Sequence, residues 1–193
     1  MANRVLTIRA LCVGAMAFAA VAQAGAMVFS FSYSDLAGDV AVGMINATQL
    51  SGNVYLATSG TFTVSYPGGP AGVYSLVANP NADGSIFTSP STAFVCDDVL
   101  YNGSDPVLDA YGLLLAPQAN VNALGQENPA DEEINIWGNS PGNYSNYHWT
   151  SAGSYDFSYV GAATVTLTAV PEPVTIGLAC AAFLLGAWRR RRS

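Results

Sequence analysis

The side-chain groupings with chemical potential in this chain are carboxylates and aromatic rings. Asp97-Asp98 and Asp131-Glu132-Glu133 place acids side by side, and Asn79-Pro80-Asn81-Ala82-Asp83-Gly84-Ser85 offers oxygens at alternate positions before a glycine. Alternating oxygens ahead of a glycine suit calcium. The twelfth position of an EF-hand counted from Asn79 is Pro90, where a bidentate Glu is needed, so an EF-hand is excluded. The expectation is solvated acidic loops. A calcium site drawn from Asp83, Asp97, Asp98, Asp131 and Glu133 is the alternative. One histidine and one cysteine between the chain ends make zinc a poor fit. Glycosidases flank a bond with two carboxylates, one of raised pKa, and Glu133 with Asp98 is a pair of the right type. Gly138-Asn139-Ser140-Pro141-Gly142 matches G-x-S-x-G, with His148 eight residues beyond Ser140. A nucleophile elbow needs a helix after the serine, and Pro141-Gly142-Asn143 does not start one, so a hairpin turn is expected instead. Tyr144, Tyr147, Trp149 and Tyr155 form an aromatic set suited to stacking on sugar rings, with Asn143 and Asn146 as hydrogen-bonding neighbours. His148 sits among them and is read as a strand residue, not a general base.

Strands must position these groups. Phe29, Phe31 and Tyr33 alternate with serines, Phe62, Val64 and Tyr66 with Thr61, Thr63 and Ser65, and Val165 and Leu167 with threonines. Period two means one buried face and one wet face. Tyr111 to Ala116 and Ile134 to Trp137 read as further strands, with a helical turn over Asp109 to Leu115 as the alternative for the first. Turn clusters separate the runs at Pro67 to Pro70, Asn79 to Gly84 and Gly138 to Gly142. The pattern predicts an all-β fold: one antiparallel, β-sandwich-like domain over residues 25–169, flanked by an N-terminal signal helix and a C-terminal transmembrane helix.

Charge is segregated. All six basic residues (Arg4, Arg9 and Arg189 to Arg192) lie at the two ends, and all 13 acids lie between residues 25 and 173. That middle is near −13, against −7 for the whole chain. It has no Lys or Arg to neutralise a phosphate backbone, which excludes nucleic acid as a partner. Cys12 and Cys180 lie in the end segments, leaving Cys96 alone, so the middle cannot form an internal disulfide. About 149 residues suffice to bury about 68–70% of the unfolded surface without one.

The ends read as addresses. Met1 to Arg9 carries two arginines and no acid, Ala10 to Val21 is apolar, and Ala22 and Ala24 supply the small residues that signal peptidase reads. Residues 1–24 are therefore expected to be a secretory signal peptide cleaved after Ala24. At the other end, Pro171-Glu172-Pro173 precedes 15 uncharged residues, Val174 to Trp188, and then Arg189, Arg190, Arg191 and Arg192. Fifteen helical residues span roughly 22 Å, short of the bilayer's ~30 Å core, and arginines that snorkel make up the difference. The positive-inside rule places the arginines in the cytoplasm and all that precedes the helix outside.

These last 24 residues, 170–193, resemble the PEP-CTERM sorting signal of Gram-negative bacteria, the tag that exosortases process. Tyr55 to Val64, Asn102 to Leu114 and Ile134 to Ser145 are similar to segments of small exported proteins bearing that signal. The resemblance implies a compact β domain and supplies no catalytic residues. It also implies signal peptidase, an exosortase-like enzyme and, before processing, the membrane as partners. The expectation is a non-enzymatic protein of the cell surface or extracellular matrix with a structural or interaction role. A carbohydrate-binding module acting on exopolysaccharide, with calcium assistance, is the alternative.

Overall fold

Phe29, Phe31 and Tyr33 point from one side of β1 (Ala26–Ser34) into the interior, while Ser30 and Ser32 reach the opposite side. The next strand, β2 (Val40–Ser51), sets small residues opposite the large rings: Gly43 faces Phe31 and Ala41 faces Tyr33. Gly43 is crowded enough that a Cβ would lie 2.2 Å from the Thr61 carbonyl oxygen. Strand β3 (Val54–Ser65) contributes Phe62 and Val64 to the same interior. Rings pack edge to face there, Phe29 on Tyr55 at 5.1 Å and Phe31 on Phe62 at 5.7 Å between centroids.

We describe the fold from a computed structural model, over residues 26–152, 155–158 and 163–171. After β4 (Ala71–Leu76), β5 (Phe87–Thr88) and β6 (Val95–Cys96) make a small separate sheet, and β7 (Val99–Tyr101) pairs with the start of β3. There follow β8 (Leu113–Pro117), a 3-10 turn at Gln118–Asn120, β9 (Glu132–Ser140), β10 (Asn143–Thr150), β11 (Tyr155–Ser158) and β12 (Thr164–Val170). The main sheet runs β11-β10-β9-β8-β4-β3-β2-β1-β12, and every pairing in it is antiparallel. Two meanders thus join at β4 and β8, and the last described strand returns to lie beside the first.

The all-β expectation holds. The layers are sandwich-like but belong to one hydrogen-bonded sheet folded over its own inner face. The Asn146 amide on β10 donates across that interior to the Tyr33 hydroxyl on β1 at 2.7 Å. Tyr111 to Ala116 is strand only from Leu113 onward, because Gly112 turns the chain at φ +62°. The signal segment, the stretch 174–188 and its arginines lie outside the described residues. Among the described residues no helix is long and apolar enough to cross a membrane.

Besides the interior, a second apolar cluster forms on the outer face of β8 to β10. Leu114 and Ala116 of β8 meet Val77, Phe87, Phe94 and Cys96 from the long connection between β4 and β7, with Tyr147 and Trp149 packed against them. This connection converts an outer sheet face into a covered one, and the candidate site lies at its margin.

Candidate functional site

Alternation along β9 and β10 decides which side chains can meet. Glu133, Asn135 and Trp137 share one face of β9, opposite Trp149, Tyr147 and Ser145 of β10. Two tryptophans and a tyrosine therefore stand on one surface, each half-buried. The loop from Ser89 to Phe94 forms the facing wall. It is a tight turn: the Ser89 amide donates to the Phe94 carbonyl (2.9 Å), the Thr92 amide to the Ser89 carbonyl (2.8 Å), and Thr92 adopts φ +65°. Phe94 closes on Tyr147 edge to face, 5.4 Å between centroids. Between wall and floor lies a groove of ≈ 650 Å³, lined by aromatic rings, Asn135 and the backbone-rich turn at Ser91 to Ala93. Its volume is in the range of small-molecule sites.

Three of the groove's side chains are fixed by neighbours. The Asn135 amide nitrogen donates to the Tyr111 carbonyl (2.9 Å), the Leu113 carbonyl (3.1 Å) and the Cys96 sulfur (3.3 Å). With its NH2 committed, Asn135 can offer a ligand only its carbonyl oxygen. Trp137 is oriented by donation from Nε1 to Asn139 Oδ1 at 3.0 Å. Ser91 is pinned by Glu133, whose carboxylate accepts the Ser91 amide at 2.9 Å and the Ser91 hydroxyl on its other oxygen.

The expected aromatic set divides. Tyr147 and Trp149 line the groove. Tyr144 points the other way, buried, its hydroxyl accepting from the Val107 amide at 2.8 Å. Asn146 and His148 share the Tyr144 side. His148 meets Glu132 at 3.1 Å, and Glu132 also accepts the Tyr74 hydroxyl at 2.6 Å. Tyr155 of β11 pairs in backbone register with Trp149. Ser140 is exposed at the end of β9, and the chain turns straight into β10. A hairpin, not a strand-to-helix elbow, thus carries the G-x-S-x-G match. His148 lies five residues past Asn143 along β10, about 17 Å at ~3.4 Å per residue. Ser140 and His148 do not form a catalytic pair.

The acids depart furthest from expectation. Asp83 and Asp131 are exposed, Asp83 accepting the Ser85 amide at 3.0 Å and Asp131 accepting Asn120 at 2.6 Å. Asp97, Asp98 and Glu133 are buried, where solvated loops were expected, and Glu127 is buried as well. With no Lys or Arg among the described residues, such acids can escape the cost of a buried charge by keeping a proton. Burial, reinforced by the facing Asp109 carboxyl, pushes Asp97 up to about 7. Burial pushes Asp98 well above the carboxylate range, although its Oδ1 accepts the Leu114 amide at 3.0 Å. Burial against Glu133 pushes Glu127 up to about 9. Among the described residues no N–H or O–H reaches either Glu127 oxygen, so a proton kept on Glu127 would face the neighbouring Glu133 carboxyl. The five calcium candidates share no coordination sphere, and among the described residues no three His, Cys, Asp or Glu side chains gather as a metal site. Glu133 and Asp98 are both 0% exposed, so this pair cannot flank a polysaccharide bond.

Trp137 and Asn135 were readable in principle. Once the hairpin at Ser140 to Asn143 is accepted, period two places them opposite Ser145 and Tyr147. Phe94 and Glu127 reach the region from distant loops and left no local signal. Of the sorting residues, Pro171 is described and exposed, directly after β12. Glu172, Pro173, Arg189 to Arg192, Ala22 and Ala24 lie outside the described residues. Comparison of the chain with family models, curated proteins and solved structures finds no match.

Proposed function

We propose that this is an exported protein that holds polysaccharide at the cell surface or in the extracellular matrix, with its groove as the binding site. The groove carries the proposal: Trp137, Tyr147 and Trp149 stand together around a trough edged by amide and hydroxyl groups. Flat rings cover the C–H faces of sugars, and fixed polar groups answer their hydroxyls. The test is affinity electrophoresis of the exported protein through gels containing different polysaccharides. At least one should retard it, and Trp149→Ala should abolish the retardation while the variant still unfolds cooperatively at a lowered melting temperature. Equal migration of wild type and variant in every gel removes the proposal.

The route to the surface rests on the chain ends. A signal peptide over residues 1–24 would direct export, and the apolar helix 174–188 with its arginines would hold the protein in the membrane until an exosortase-like enzyme acts at Pro171-Glu172-Pro173. Support comes from β12 ending at Val170 and Pro171 being exposed, which leaves the proposed processing strip clear of the fold. Intact mass decides it. The mature protein should begin near Gly25 and lack the chain beyond roughly position 173, whereas changing all three residues to Ala should leave it full-length at the C-terminus and membrane-bound. Retention of Arg189 to Arg192 by wild type in a strain with a working exosortase contradicts the route.

A further inference from the structure

We infer that the groove accepts glycan chains without negative charge and rejects those bearing carboxylates or other anions; this rests on the polysaccharide reading above. Among the described residues every lining side chain is neutral, so none of them can pair with a charged sugar. The ionisable groups just behind the lining are all acids. Glu133 sits opposite Trp149 in register and holds Ser91 from below. Asp109 adjoins the lining residue Ala110 in sequence, and its carboxyl faces Asp97. Residues 25–173 contain no Lys or Arg that could offset them, and the one His is engaged by Glu132 on the other face of β10. A uronate stacked on Trp149 would give up solvation for a field without a counter-charge, and carboxylates so placed repel over about a Debye length, ~8 Å at physiological salt. A cationic sugar meets the same field with the opposite sign, so it is tolerated, although Glu133 is fully buried and holds Ser91 and so makes no direct ion pair in the groove. Neutral hydroxyls, by contrast, find the Asn135 carbonyl oxygen and the exposed turn at Thr92 and Ala93.

The experiment titrates the exported protein with dextran, mannan and a mixed-linkage β-glucan, each beside its own carboxymethyl and aminoethyl derivative, at low and high salt. For whichever backbone binds, the carboxymethyl form should bind at least about 10-fold more weakly at 20 mM salt, with the gap shrinking to about 2-fold at 0.5 M as screening takes over. The aminoethyl form should bind at least as tightly as its parent. A carboxymethyl form that matches its parent, or an aminoethyl form that binds as weakly as the carboxymethyl form, overturns the selectivity while Trp149-dependent binding keeps the glycan reading intact. No Trp149-dependent binding to any of the nine polymers overturns both.

Discussion

Asn146 shows how a single side chain can tie the two ends of the sheet together. Its amide is within 2.7 Å of the Tyr33 hydroxyl, 3.1 Å of Asp35 Oδ2 and 3.2 Å of Asp39 Oδ2. It bridges β10 to the turn between β1 and β2, a turn that is itself wound around Asp35 Oδ1 by the amides of Ala37 and Asp39. Asn146→Ala leaves the Asp39 carboxylate with one donor fewer in a buried setting, and the expected loss is about 1–3 kcal/mol, read as a lower urea midpoint at an unchanged slope. Glu127 makes the opposite case. Glu127→Gln replaces a proton that must be held by a permanent N–H facing Glu133. At pH 8 the variant should be at least as stable as wild type. A loss greater at pH 8 than at pH 5 would mean that the carboxyl pair is not proton-bridged.

At the scale of elements, the groove depends on how β8 enters the sheet. Gly112 has φ +62° and accepts the Asp98 amide at 3.0 Å, and a Cβ on it would lie 2.0 Å from the Ile136 carbonyl oxygen. Gly142, in the β9–β10 turn, has nearly the same φ, +65°, but open space around it. Conformation alone costs about 1–2 kcal/mol at either site. Gly142→Ala should therefore lower the melting temperature by a few degrees, and Gly112→Ala by clearly more, because β8 or β9 must shift as well. Similar losses in thermal melts of the two variants would show that the packing at Gly112 is slack.

Legibility also divides at this scale. The alternations around Phe29, Phe62 and Val165 announce β1, β3 and β12, since a wet face and a dry face repeat every two residues. The turn clusters mark the β3–β4 and β9–β10 hairpins. That β12 pairs with β1, and that residues 77–98 cover β8 to β10, depends on contacts far apart in sequence, which no local pattern encodes. The aromatic set was half legible for the same reason. Tyr144 and Tyr147 are three apart, an odd spacing that puts them on opposite faces of a strand, and Trp137 joins only through cross-strand register. The buried acids were the hardest to foresee. Asp97 and Asp98 look like a solvated pair, and only the folded neighbours Val99, Asp109 and Leu114 show why each is held inside.

For the molecule as a whole, the acids set the response to pH. Asp97, Asp98 and Glu127 all have folded-state pKa values raised above the ordinary carboxylate range. Between about pH 4 and the raised values, the native state keeps protons that the unfolded chain releases, so stability falls as pH rises through that window. The melting temperature should be highest near pH 4–5 and lower at pH 9 by at least about 5 °C, with Glu127→Gln flattening the curve above pH 7. A maximum at pH 7–8 contradicts the buried, protonated state of these groups. Residues 25–173 have no Lys or Arg to offset this acidity, which favours solubility; under the proposal made above, the groove would meet a glycan through neutral groups and flat rings.

The most direct measurement of that central claim uses the chain's own tryptophans. It has three, Trp137, Trp149 and Trp188. In a Trp188→Phe protein the two that remain both line the groove, so all tryptophan emission reports on the site. Titration with the neutral polysaccharide that retards the protein most in gels should shift that emission in a saturable way and protect it from acrylamide quenching. Emission and quenching that stay unchanged while the polysaccharide still binds would place the ligand elsewhere and contradict the groove as the functional site.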